Sequence, residues 1–181
     1  MAKKQTELSV LVDIRDFLKA RFPHEPVLKP GAGIIIPDGG FLSLMHSSDR
    51  LEKLSDGWFR DRFLTMFYGK KLDWAPDNLE KHIKWQLAQD HAKSFCDQTY
   101  NARQPSVFEW ETLRDRTKYN PAIIDAAKAL NLKTDDWYWT GEDLAVAGSP
   151  SGAWCVGLEN GVVDLNDKGS GICVRPVRVS Q

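Results

Sequence analysis

Asn160-Gly161 constrains this chain more than any other feature, because it stands between two apolar runs, residues 153–158 and 162–165. Both turn residues tolerate the positive φ that a tight two-residue connection needs, so the pair predicts a β-hairpin. A polar turn at 166–171 then leads into Ile172-Cys173-Val174-Arg175-Pro176-Val177-Arg178. Pro176 has no amide to give to a ladder, so this closing strand must bend there or lie on an edge. Trp137-Tyr138-Trp139 and Leu144-Ala145-Val146 are further apolar runs of strand length. The last third reads as antiparallel β.

The preceding residues read mostly as helix. Leu8, Leu11, Ile14 and Leu18 recur at helical spacing over residues 6–21, with Asp13, Arg15, Asp16 and Lys19 opposite them, until Pro23 and Pro26. Ile34-Ile35-Ile36 and residues 41–45 surround Pro37-Asp38-Gly39-Gly40 and suggest a second hairpin. A short helix is expected near 56–68, with Phe59, Phe63, Leu64 and Phe67 on one face. Asp77 caps a longer one running to Tyr100 through Leu79, Ile83, Leu87 and Phe95. Ser106-Val107-Phe108-Glu109 has the form of a capping box, in which hydroxyl and carboxylate satisfy orphan amides. Asn120-Pro121 repeats the logic, with Asn as N-cap and Pro opening a helix over 121–130. Helices followed by strands make the fold α+β rather than an alternating parallel sheet.

Charge and composition narrow the function. With 24 basic and 25 acidic residues the net charge is −1, which gives no global pull on nucleic acid or anionic lipid. No segment approaches the roughly 18 apolar residues that span a bilayer, and no signal peptide opens the chain, so a cytoplasmic or virion-associated location is expected. Seven Trp and eight Phe supply large rings, whose first use is core packing. Three cysteines without a CxxC pair read as buried thiols in a reducing compartment.

Several chemistries can be weighed on spacing. Gly31-Ala32-Gly33 lacks the Lys-Ser/Thr and helix of a phosphate loop. His82 and His91, on the expected helix, are too far apart to chelate one ion from a straight helix, and all four histidines (with His24 and His46) precede the β region. Glu159, Asn160, Asp164, Asn166 and Asp167 gather oxygen ligands, but an EF-hand register puts Lys168 and Arg175 where anionic ligands belong. Asp135-Asp136 beside Trp137 reads as an exposed turn rather than a glycosidase pair. No metal ligand, cofactor or catalytic residue is expected on these grounds.

The order of motifs nevertheless points to a family. Ala92 with Phe95-Cys96, Arg103-Gln104-Pro105-Ser106 with Glu109, Asn120-Pro121-Ala122-Ile123, Tyr138-Trp139-Thr140, Ala153-Trp154, Asn160-Gly161 and Val174-Arg175-Pro176-Val177-Arg178 follow one another over residues 88–178. This series resembles the Lcl C-terminal-domain family, a domain of unknown function grouped with C-type-lectin-like folds, beside the formylglycine-generating and phage variable-protein branches. Ala102, Gln104 and Gly141 depart from the family's Trp, Leu and Ser. The resemblance implies a C-type-lectin-like domain over 78–181; residues 1–77 lie outside it and read as an extension whose helix, hairpin and short helix serve assembly or docking.

Function in such folds resides in variable loops on a fixed scaffold. The expectation is a non-enzymatic module that binds a protein or glycan partner, phage- or prophage-encoded, acting as a virion component or a host-directed inhibitor. Homo-oligomerisation is a further expectation; nucleic acid and membrane are not expected partners. The binding residues expected are Trp137, Tyr138 and Trp139, whose rings offer stacking area, with Glu142, Asp143, Ser149 and Ser151 from the polar loop that follows. The alternative is an enzyme of the formylglycine-generating kind, for which Cys155 and Cys173 would be the reactive pair, or a glycan hydrolase.

Overall fold

The computed structural model describes residues 47–76, 79–143 and 151–181. The first half runs β1 (Leu51–Lys53), β2 (Phe59–Asp61), α1 (Arg62–Tyr68), β3 (Leu72–Trp74), β4 (Leu79–Ile83), α2 (Trp85–Lys93), β5 (Tyr100–Arg103) and α3 (Val107–Glu111). Then come β6 (Trp137–Asp143), β7 (Gly152–Gly157), β8 (Val163–Asp167), β9 (Ile172–Val174) and β10 (Val177–Ser180). Short 3-10 segments occupy Ser48–Arg50 and Asp125–Leu130. The helix and hairpin expected within residues 6–45, the run 144–146 and Ser149 lie outside the described residues.

Pro176 divides the closing segment between two sheets. β9 lies between β4 and β6 in a sheet of order β4-β9-β6-β7-β8, while β10 lies between β3 and β5 in a sheet of order β1-β2-β3-β10-β5. The bend expected at Pro176 is therefore present, but neither half is an edge strand. Pro176 keeps its acceptor in use, because the Ala75 amide donates to its carbonyl at 2.9 Å. All strand pairs are antiparallel except β6 and β9, which run parallel with Tyr138 opposite Cys173. The fold is α+β, as expected.

Strands β1 to β3 correct the boundary read at residue 77. They belong to the same sheet as β10 and β5, so residues 51–74 are part of the β architecture rather than of a separate extension. The hairpin expected around Asn160-Gly161 forms, but residues 158–162 rather than two residues connect β7 to β8, and of the pair Gly161 alone has positive φ. Gly161 takes φ +66°, the Asn160 side chain accepts the Val162 amide at 3.0 Å, and β7 and β8 pair from Val156↔Val163 to Gly152↔Asp167.

Two expected helices are replaced. The spacing of Leu79 and Ile83 fits a strand as well as a helix, since four residues are a whole number of periods in one and about a turn in the other. Pairing with β9, Leu79 opposite Val174 and Ile83 opposite Ile172, selects the strand, and the helix starts later, at Trp85. Asn120-Pro121 opens no helix. Its peptide bond is cis, Asn120 is left-handed at φ 49°, and the amides of Asn120 and Ala122 donate to the carbonyls of Glu159 and Leu158. The segment is thus held extended against the hairpin turn, and a 3-10 helix begins at Asp125. Near 56–68 only the second half is helical, because Phe59–Asp61 pairs as β2.

Packing explains the aromatic supply. Trp74, Trp110, Tyr138 and Trp139 are all buried, and Trp110 joins Trp74 and Tyr138 at centroid distances of 5.2 and 5.0 Å. The buried charges are as organised. Arg50 and Asp61, both 0% exposed, form a two-pronged ion pair at 2.8–3.1 Å. The expected capping box is present: the Glu109 amide donates to Ser106 Oγ at 3.1 Å and the Ser106 amide to Glu109 Oε2 at 2.8 Å. Arg103 then closes on both oxygens of the buried Glu109, at 2.6 and 2.7 Å.

Arg178 forms ion pairs nearer the surface. It bonds Asp73 at 3.0 Å and Asp56 at 2.6 Å, and its guanidinium lies 4.4 Å from the Trp58 ring centroid. Burial alone would raise the Asp56 carboxyl, but the hydrogen bonds from Arg178 and from the Trp58 amide, with the Arg178 charge, hold it below its ordinary value. A carboxyl depressed in the fold adds stability above its unfolded value and loses it as pH falls through the folded one. The expected result is a fall in thermal midpoint below about pH 4 that is shallower in Asp56→Asn than in the parent. Equal slopes in a pH series of melting curves would remove Asp56 from this account.

Candidate functional site

The residues expected to bind a partner separate into core and surface. β6 is an interior strand, paired by β7 and by β9, and it is covered on both faces, since the neighbouring Tyr138 and Trp139 point to opposite sides and are both buried. Tyr138 and Trp139 are 0% exposed and cannot offer stacking faces. Tyr138 Oη accepts the Lys133 amide at 2.7 Å, and Trp139 Nε1 donates to the Ile83 carbonyl at 2.9 Å. Trp137 is half-buried, with its ring over Gly157, where an added Cβ would stand 3.2 Å from it. Tyr138 and Trp139 are therefore core residues rather than recognition residues, and of the three rings Trp137 keeps partial exposure.

The polar residues after it do reach the surface. Glu142 is half-buried and accepts the Val107 amide at 3.2 Å, at the start of α3. Asp143 and Ser151 are exposed on either side of the β6–β7 connection. Asp143 pairs with Lys168 Nζ at 2.9 Å, and that ammonium lies 4.6 Å from the Trp85 ring centroid. Trp85 is fixed in turn, because its Nε1 donates to the Thr140 carbonyl at 2.9 Å. Trp85 and Lys168 were not expected from the sequence. Trp85 opens α2 and Lys168 follows β8, so strand pairing is what brings them together.

Two departures from the family pattern meet near the same end. Gln104 is buried and donates to the Ala88 carbonyl at 2.6 Å. Gly141 lies so close to it that an added Cβ would stand 3.2 Å from the Gln104 carbonyl oxygen. A glycine where the family has serine thus goes with the close approach of the Gln104 backbone.

The cysteines read as a possible reactive pair are not neighbours. Cys155 on β7 stands opposite Trp139 and Cys173 on β9 opposite Tyr138, so β6 runs between them. The Cys155 thiol donates to the Asp164 carbonyl at 3.4 Å, and the Cys173 thiol to Asp136 Oδ2 at 3.2 Å. Burial foremost, with the charge of Asp164 at one and the hydrogen bond to Asp136 at the other, pushes both up to about 12. The thiolate is the nucleophile, so neither is poised to react. Cys96 is exposed. The expected result of labelling the native protein with a maleimide at neutral pH is modification of Cys96, with Cys155 and Cys173 protected until denaturant is added. Rapid native labelling of either buried thiol, read by mass spectrometry, would contradict this.

The acidic turn weighed for calcium is closed on itself. Asp167 Oδ1 accepts the Gly169 amide at 2.6 Å, and Asn166 Oδ1 accepts the Ser170 hydroxyl at 3.0 Å. A different cluster, missed by sequence, lies beside β9. His82 Nε2 is 2.7 Å from Asp136 Oδ2, which also accepts the Cys173 thiol. His82 was expected on a helix and apart from the β region; its place on β4, next to β9, corrects both. The residues come from widely separated positions, and only strand pairing joins them.

No helix among the described residues is long and apolar enough to cross a membrane. A search of curated proteins found no match. The model of the Lcl C-terminal domain matches residues 68–178, from the last residue of α1 into β10, and includes the capping box, the Asn160-Gly161 hairpin and the segment split by Pro176. The chain belongs to the Lcl C-terminal domain family.

Proposed function

We propose that this chain is a non-enzymatic recognition module, a C-type-lectin-like scaffold that binds a protein or glycan partner at the β6–β7 end of its second sheet. Its buried charges support the scaffold half of this reading. Arg50, Asp61, Glu109 and Arg175 are 0% exposed and are engaged with one another or with backbone, so they fix the framework. A fixed framework with polar groups at strand ends is how loops of such folds carry recognition.

The observation that carries the proposal is the arrangement of Trp85, Lys168 and Asp143. A ring, a cation and a carboxylate stand together there, bordered by Ser151, whose carbonyl accepts the Lys168 amide at 2.7 Å. Apolar face plus directional donors and acceptors is the combination that orients a sugar ring or a polar peptide. Phage or prophage origin belongs to the same proposal, and neighbouring tail or capsid genes would separate a virion component from a host-directed inhibitor.

The test is a glycan array and a host-lysate capture with the full-length protein, followed by quantitative binding of whatever is retained. Asp143→Ala with Lys168→Ala is expected to weaken the retained partner at least about tenfold, with little change in thermal midpoint, since both groups lie near the surface. Unchanged affinity in that double variant would move recognition elsewhere on the chain.

A further inference from the structure

His82, Asp136 and Cys173 come from three neighbouring positions in the second sheet. His82 is on β4, Cys173 on the adjacent β9, and Asp136 immediately precedes β6, which pairs with β9 on the other side. One nitrogen, one oxygen and one sulfur donor lie within 4.8 Å of one another. Neighbouring backbone pairing places them. Ile83 next to His82 pairs with Ile172, and Gly171 leaves space for His82, since an added Cβ there would stand 3.0 Å from His82 Cβ. Asp136 is oriented through its other oxygen, which accepts the Trp137 amide at 2.9 Å and so leaves Oδ2 to face His82 and Cys173.

We propose that these three residues form a binding site for a divalent transition-metal ion of the zinc class, with a fourth position open to solvent. A mixed N, O and S donor set suits zinc among the common biological ions, whereas calcium and magnesium take oxygen. Bonds of about 2.0–2.3 Å place the donors of a tetrahedral ion roughly 3.3–3.8 Å apart. The 2.7 Å spacing of His82 and Asp136 needs a modest opening, which the half-exposed His82 side chain can supply by rotating, whereas Cys173 and Asp136, 3.2 Å apart, are already close to that range. A carboxylate and a thiolate together neutralise the ion's two charges. Binding displaces the thiol proton, so ligation is coupled to proton release. Asp135 adds negative charge nearby and Lys133 opposes it.

The site does not depend on the recognition reading, and its test is independent of any partner. Full-length protein stripped with a chelator is titrated with cobalt(II), then with zinc. Expected are one equivalent bound, a thiolate-to-cobalt charge-transfer band in the near ultraviolet, and a rise in thermal midpoint with either ion. Cys173→Ser should abolish the band, Cys155→Ser and Cys96→Ser should keep it, and His82→Gln should weaken binding at least about tenfold. Because Cys173 is buried and its variant can misfold, His82→Gln carries the decision. Absence of the band and of any shift in midpoint with excess metal, or binding that His82→Gln leaves unchanged, overturns the proposal.

Discussion

Asp61→Ala is expected to cost about 3–5 kcal/mol of folding stability, measured by denaturant unfolding. The carboxylate has three duties at once. It neutralises the buried Arg50, accepts the Leu64 amide at 3.0 Å as N-cap of α1, and accepts Trp74 Nε1 at 3.1 Å. Removing it leaves a guanidinium in the core with part of its fork unmet, although Arg50 also donates to the Thr112 carbonyl and hydroxyl at 2.5 and 2.6 Å. An uncompensated buried charge dominates the loss, and the missing cap adds about 1 kcal/mol. Against a total stability of about 5–15 kcal/mol this is enough to shift the protein toward the unfolded state at growth temperature. The pair need not be stabilising overall: Arg50→Leu with Asp61→Leu should lose less than Asp61→Ala alone. A loss below about 1 kcal/mol in the single variant would show that the pair is solvated rather than buried.

Arg175→Ala is expected to have an effect of the same size, for a different reason. This guanidinium is buried at the seam between the sheets, donating to the carbonyl of Ala75 at 2.6 Å and to that of Leu130. Each acceptor left unmatched in the interior costs about 1–3 kcal/mol, and the vacated side-chain volume adds a cavity term. The expected total is again about 3–5 kcal/mol. Arg175→Lys should recover a minor part, because a single ammonium lacks the planar fork that reaches two separate carbonyls. Full stability in the lysine variant would mean that charge rather than fork geometry matters at this position.

Legibility in the sequence followed the range of the interactions. The Asn160-Gly161 hairpin and the Ser106–Glu109 capping box are decided by residues next to each other, and both are present. Leu79–Ile83 is a strand where a helix is expected because an apolar spacing of four serves helix and strand alike, and the partner that chooses between them, β9, lies some ninety residues later; the Asp77 cap lies outside the described residues. Asn120-Pro121 carried a good helix-start signal that was overruled by backbone bonds to Leu158 and Glu159. The binding surface was half legible. Polar residues 142, 143 and 151 do border one sheet end, but alternation could not show that β6 is covered on both faces, which buries Tyr138 and Trp139. Trp85 with Lys168, and His82 with Asp136 and Cys173, are products of strand order. No spacing in the sequence announces them.

The division at Pro176 also sets the order in which the fold can be assembled. β3 and β5 are not partners of each other; each pairs with β10, Val177 standing opposite both Trp74 and Arg103. The first sheet therefore cannot close until a segment about a hundred residues downstream of β3 arrives, and the same short segment supplies β9 to the second sheet. Such long loops place most of the entropic cost ahead of the contacts that repay it, so the topology favours slow folding with a high contact order. Because one stretch supplies a strand to each sheet, neither sheet has its full set of strands until residues 172–180 are seated.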